Sequence, residues 1–178
     1  YGPLPAGIVL LSALLLIFYD FRAKGIPYLG NVLVGILGAN VFLFCAAIQG
    51  VARGHIYAAV FALFFHTGRE IIKDVSDMEG DREAGIRTLP MLRGAKPALK
   101  TAVGHLLVIP PLSLLPVVLG DFSVWYLGSV ILFVDLPLIL YAWILPGNTT
   151  RRSAQKSARD LKWVMLGGLI SLFLGGVA

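Results

Sequence analysis

Residues 56–90 read Ile-Tyr-Ala-Ala-Val-Phe-Ala-Leu-Phe-Phe-His-Thr-Gly-Arg-Glu-Ile-Ile-Lys-Asp-Val-Ser-Asp-Met-Glu-Gly-Asp-Arg-Glu-Ala-Gly-Ile-Arg-Thr-Leu-Pro, an apolar opening that runs into a dense block of charge. Within the block, Glu70, Asp74, Asp77 and Asp81 fall at steps of four, three and four. At about 100° per residue they share one helical arc of roughly 60°. Like charges at these spacings repel by roughly 0.2–0.5 kcal/mol per pair, so the stripe is a poor helix face unless a cation sits against it. Carboxylate oxygens are the hard ligands that Mg²⁺ prefers, and that ion usually takes one or two of them together with substrate phosphate oxygens. Asp77 and Asp81, with Asp74 one turn below, are the candidate metal ligands and catalytic residues. The competing reading is a solvated acidic face at a helix end. What surrounds the block decides between them.

The 178 residues are 57% hydrophobic and 14% charged, with a mean hydropathy of +0.82. Soluble domains carry about 25% charged residues, so this composition belongs in a membrane. Cys45 stands alone inside an apolar run and reads as packing. The net charge of +5 points to cytoplasmic loops and phosphate partners, with no nucleic acid expected. The opening Tyr1-Gly2-Pro3-Leu4-Pro5 lacks the basic flank of a cleavable signal peptide.

On either side of residues 56–65, nearly uncharged runs occur at 4–18, 31–49, 98–119, 122–145 and 161–177. A helix needs about 20 such residues to cross a ~30 Å hydrocarbon core, and the shorter runs reach that length with their polar flanks. Runs this long exclude barrel strands. The sequence predicts an all-α, polytopic transmembrane bundle of six helices in one domain over 1–178.

Charge alternates between the connections. Arg22 and Lys24 follow the first helix. Arg82, Arg87, Arg93, Lys96 and Lys100 follow the third, and Arg151, Arg152, Lys156 and Arg159 the fifth. The intervening loops hold only Arg53 with His55, and Asp121. The positive-inside rule places the three basic loops, and the acidic block with them, at the cytoplasmic face of a multi-pass cell-membrane protein, with both chain ends outside. Gly85 is expected to stop the acidic helix, with Thr88-Leu89-Pro90 following as extended chain. Pro110-Pro111 and Pro116 are expected to kink or interrupt the fourth helix.

Asp77-x-x-x-Asp81 followed by Gly85-Ile86-Arg87-Thr88 resembles the second aspartate-rich motif of the UbiA superfamily of intramembrane prenyltransferases. The fuller string, Arg69-Glu70-Ile71-Ile72-Lys73-Asp74, Glu79-Gly80-Asp81-Arg82 and Arg87-Thr88-Leu89-Pro90, looks most like the archaeal branch that makes digeranylgeranylglyceryl phosphate. Tyr19, Arg22 and Lys24, then Gly30-Asn31, resemble the family's basic loop between its fourth and fifth helices. The resemblance implies that the six helices are the fourth to ninth of a nine-helix bundle. The domain is then expected to be incomplete at its N-terminus, because nothing here matches the family's first motif, Asn-Asp-x-x-Asp-x-x-x-Asp. It also implies Mg²⁺, a prenyl diphosphate donor, in particular geranylgeranyl diphosphate, and a lipid acceptor, geranylgeranylglyceryl phosphate. An aromatic acceptor such as 4-hydroxybenzoate or a quinone precursor is the alternative.

The chemistry fits the residues on its own terms. Breaking an allylic C–O bond to release pyrophosphate builds negative charge on the leaving oxygens, which carboxylate-held Mg²⁺ and cationic side chains offset. Arg22, Lys24, Lys73 and Arg87 are the clamp candidates; Tyr19 and Glu70 complete the expected substrate-binding set. An allylic carbocation must then be kept from water, and Tyr57, Phe61, Phe64 and Phe65 could line an apolar tunnel or simply pack. His66, one turn before Glu70, either supports the site or is a bundle histidine, while His55 and His105 read as structural. Asp135 lies mid-helix; it is a functional candidate or, with Pro137 two residues on, the cap of a broken helix. An ion-coupled transporter remains the rival class. Transporter sites lie near the midplane, whereas these acids run to a helix end beside Arg82 and Arg87. A non-catalytic lipid-binding scaffold is the third.

Overall fold

A computed structural model describes residues 2–50 and 53–176, and among them every regular element is helical. The chain builds α1 (Pro3–Phe21), a 3₁₀ turn (Ala23–Gly25), α2 (Leu29–Gln49), α3 (Arg53–Glu83), α4 (Leu89–Arg93), α5 (Ala95–Leu107), α6 (Ile109–Ser113) and α7 (Leu115–Val118). After these come α8 (Val124–Val130), a π-helical segment (Ile131–Asp135), α9 (Leu136–Ile144), a 3₁₀ turn (Leu145–Gly147) and α10 (Arg151–Gly176). The sixth expected run ended at Val177, which lies outside the described residues.

Among the described residues, four helical stretches are long and apolar enough to cross a membrane: α1, α2, 95–118 and 124–147. α3 and α10 are 31 and 26 residues long, but each is charged over about half its length. α3 measures about 46 Å at about 1.5 Å per residue. It is therefore longer than a ~30 Å core by roughly ten residues, and its last ten, 74–83, carry Asp74, Asp77 and Asp81.

α3 is the axis of the bundle, packed between α2, α5 and α10. Small residues let these helices approach closely. A Cβ on Gly35 of α2 would stand 2.6 Å from the Leu63 carbonyl, and one on Gly68 would stand 3.0 Å from that of Ala102. Ile71, Ile72 and Val75 are buried against Leu99, Ala102 and Leu106 of α5 and Ala158 and Leu161 of α10. This apolar face holds α3 in one rotation. The acid arc, on the other side of the helix, turns toward the loop after α1.

Two expectations are corrected. α10 begins at Arg151, ten residues before the apolar run, because Thr150 caps it: the Ser153 amide donates to Thr150 Oγ1 at 3.3 Å and the Ala154 amide to the Thr150 carbonyl at 3.0 Å. Hydropathy misses this half because its charges point outward while Ala154, Ser157 and Ala158 are buried. Thr88 is extended, but Leu89-Pro90 already open α4, since proline is well suited to a helix's first turn. The expected breaks in the fourth span occur at Val108 and Leu114, both still in right-handed helical conformation, so the prolines kink the span without ending it.

Asp135 caps nothing. Its Oδ2 accepts the Ser113 hydroxyl at 2.9 Å across to α6, and both residues are buried. At the other end of α3 from the acids, Asp121 accepts hydrogen bonds from Arg53 at 3.0 Å and Tyr57 at 2.6 Å. The sparse charges of these two connections thereby pair with each other.

Candidate functional site

The acid helix ends in a turn that folds the following chain back on it. Gly85 takes a left-handed φ of +69°. The Ile86 amide donates to the Asp81 carbonyl at 2.9 Å and the Gly85 amide to that of Arg82 at 3.2 Å, the paired bonds of a Schellman C-cap. Ile86, Arg87 and Thr88 therefore return to the wall of the same cleft that the acids line. Across from them, α1 ends and the 3₁₀ turn brings Lys24 round. Gly30 permits the closure: a Cβ there would sit 3.1 Å from the Ala23 carbonyl and 3.5 Å from the Tyr19 ring.

The cleft gathers Tyr19, Lys24, Glu70, Lys73, Asp74, Asp77, Asp81 and Arg87. Arg22 is not among them. Ala23 takes the inward position and is fully buried, while Arg22 is exposed. His66 is also elsewhere, packed on Gly38 and lining a separate apolar cavity with Phe61, Phe65 and Tyr126. Phe64 packs against His105 instead, and Tyr57 is spent on Asp121.

Each acid has its own engagement. Asp74 Oδ2 accepts from the Asn31 amide at 2.7 Å. Lys73 donates to Glu70 at 3.1 Å and stands 3.5 Å from Asp77, whose other oxygen takes the Ser76 hydroxyl at 2.8 Å. Asp81 Oδ2 is buried and has no hydrogen-bond partner among the described residues, and the same holds for Thr88 Oγ1. Burial and then the Asp77 charge raise the Asp81 carboxyl above the ordinary aspartate range. Among the described residues no three acidic, histidine or cysteine side chains enclose a metal position by themselves. An all-oxygen set with an orphaned carboxylate oxygen suits an ion that shares its shell with phosphate, as Mg²⁺ does.

Asn31, Tyr28 and Thr88 belong to the cleft although sequence reasoning gave them no role. Asn31 and Thr88 stand inside the recognisable strings Gly30-Asn31 and Arg87-Thr88, which was the available signal. Tyr28 had none.

The sequence matches the UbiA prenyltransferase family over residues 1–166. It is 37% identical to the digeranylgeranylglyceryl phosphate synthase of Haloquadratum walsbyi over 146 residues, covering 81% of this chain and 51% of that one. With the synthase of Methanosarcina barkeri it shares 38% identity over 180 residues, covering 99% and 60%. A solved structure described as giving structural and mechanistic insights into digeranylgeranylglyceryl phosphate synthase in membranes superposes with a TM-score of 0.89 at 30% identity. That likeness covers 97% of this chain and 61% of the other. The chain thus spans between about half and three fifths of the length of these relatives.

Proposed function

The chain belongs to the UbiA prenyltransferase family, and from that premise we propose that it carries the pyrophosphate-binding half of a site that moves a geranylgeranyl group from its diphosphate to geranylgeranylglyceryl phosphate. It is a multi-pass membrane protein, and the basic loops favour a cytoplasm-facing cleft. The observation that carries the reading is the convergence in one cleft of four acids, three cations and two buried oxygens without partners among the described residues.

Asp77 and Asp81, with Asp74 behind them, are the residues that would hold Mg²⁺, which supplies positive charge to the leaving pyrophosphate. Asn31 fixes Asp74 in place through its amide. Lys24 and Arg87 reach the same space from opposite walls and would bind the pyrophosphate oxygens, Arg87 in bidentate fashion. Lys73, already between Glu70 and Asp77, sets the positions of both carboxylates. Thr88 Oγ1 has a proton without an acceptor and would donate it to a phosphate oxygen. The apolar cavity lined by Phe61, Phe65 and Tyr126 would take the far end of the hydrocarbon chain, beyond the cleft. A first acidic motif, expected outside this sequence, would face Asp77 and Asp81.

The test supplies the intact protein in detergent with labelled geranylgeranyl diphosphate, Mg²⁺ and a panel of acceptors. The expected product is digeranylgeranylglyceryl phosphate. Transfer to an aromatic acid in preference to the glycerol lipid would replace the acceptor, and ion flux without prenyl transfer would replace the reading.

A further inference from the structure

Tyr28 stands at the junction of the 3₁₀ turn and α2 with φ +69° and ψ −37°, the one non-glycine residue at positive φ among those described. A bulky residue here is held in a strained conformation, which Gly or Asn would largely avoid. Core packing does not account for it, since the residue is 40% exposed and faces the acid-lined cleft. Its hydroxyl lies 2.9 Å from His105 Nε2 on α5, and His105 Nδ1 lies 2.9 Å from the Thr101 carbonyl. A carbonyl only accepts, so Nδ1 carries the imidazole proton and Nε2 takes the Tyr28 proton. The Tyr28 oxygen therefore keeps free lone pairs. The tilted ring contacts of His105 with Tyr28 at 5.7 Å and Phe64 at 6.2 Å hold this arrangement.

Transfer to an alcohol must dispose of the alcohol's proton; of the four carboxylates of the cleft, Asp81 is assigned to Mg²⁺ in the reading above and the other three are engaged. Asp74 is bonded to Asn31, Glu70 to Lys73, and Asp77 to Ser76 and Lys73. Resting on the prenyltransferase reading above, we propose that Tyr28 receives the proton of the acceptor hydroxyl and passes its own to His105. In the step, the bond between the prenyl C1 and its diphosphate oxygen breaks with the electron pair leaving on pyrophosphate. The acceptor oxygen bonds to C1 and its O–H bond breaks. That proton goes to the Tyr28 oxygen, and the original phenolic proton goes to His105 Nε2. The resulting imidazolium still donates from Nδ1 to Thr101. Tyr28 is the catalytic residue of this step and His105, acting through it, a positioning and relay residue.

The experiment uses the intact protein with geranylgeranyl diphosphate carrying ¹⁸O in the bridging position, and geranylgeranylglyceryl phosphate as acceptor. Scrambling of the label into non-bridging positions reports C–O cleavage separately from product formation. In Tyr28→Phe, kcat for product should fall by about 10²-fold, within the usual range for proton transfer catalysis, while both KM values and the scrambling rate stay near wild type. His105→Gln can still accept the Tyr28 hydrogen bond through Oε1 but cannot take the proton. It should lose kcat similarly, together with the solvent deuterium isotope effect, and it decides the test should Tyr28→Phe fail to fold. Wild-type kcat in either folded variant overturns the relay. Parallel loss of scrambling and product also overturns it, because Tyr28 would then be binding the diphosphate. Absence of both scrambling and product in the wild-type protein would instead remove the prenyltransferase reading on which the relay rests.

Discussion

Replacing Asp77 and Asp81 singly by Asn separates metal ligation from general negative charge. The exchange keeps size and hydrogen-bonding capacity and removes the anion. If these oxygens hold the ion against pyrophosphate, the lost interaction is largest in the transition state. Removing one group that stabilises developing charge typically costs about 2.7–4 kcal/mol, so turnover should fall about 10²–10³-fold per variant. The structure sets the stability side. Asp77 is 47% exposed and shares Lys73 with Glu70, so its loss frees a surface ion pair worth about 0–1 kcal/mol, offset by relief of the acid stripe. Asp81 Oδ2 has no hydrogen-bond partner among the described residues to strand. Because its carboxyl is held above its unfolded range, the folded state binds the extra proton. Wild-type stability then falls as pH rises through that window, and Asp81→Asn should remove this dependence. The assay measures product per minute in detergent at saturating Mg²⁺, with Tm recorded separately without Mg²⁺ as pH is raised from the ordinary aspartate range of about 4. Full turnover in both variants refutes the ligand assignment. A Tm of Asp81→Asn that falls with pH as steeply as the wild type refutes the electrostatic account of Asp81.

Gly35→Ala should lower Tm despite a gain in helix propensity of about 1 kcal/mol. The new methyl meets the Leu63 carbonyl at 2.6 Å, and overpacking against backbone costs about 1–3 kcal/mol; an unchanged or higher Tm would show that α2 can shift freely. Ser113→Ala leaves the buried Asp135 carboxyl without its hydroxyl partner and should cost about 1–3 kcal/mol, read by detergent unfolding. Asp135→Asn should keep turnover, since it lines neither the cleft nor its walls. Chelation with EDTA should abolish turnover and added Mg²⁺ restore it, with bound prenyl diphosphate and not the apoprotein showing the Mg²⁺-dependent rise in Tm.

The helical class, the five apolar runs around the acidic block and the common face of Glu70, Asp74, Asp77 and Asp81 were all legible in the amino-acid order. They follow from periodicities and compositions that operate over a few turns of chain. So do the places where proline bends the fourth span and where Gly85 ends α3, because both are properties of single backbones. The start of α10 at Arg151 was not legible, since a Thr150 cap and a buried stripe of Ala154, Ser157 and Ala158 stabilise a helix whose mean hydropathy is that of a loop. Which cations meet the acids depended on packing. Arg22 and Lys24 are two residues apart and equally charged, yet only Lys24 enters the cleft, because fully buried Ala23 fixes the rotation of the turn. The same applies to Tyr28, Asn31 and His105. Their partners are 77, 43 and 77 positions away in sequence, and no local pattern encodes a contact that forms only when α2, α3 and α5 pack side by side.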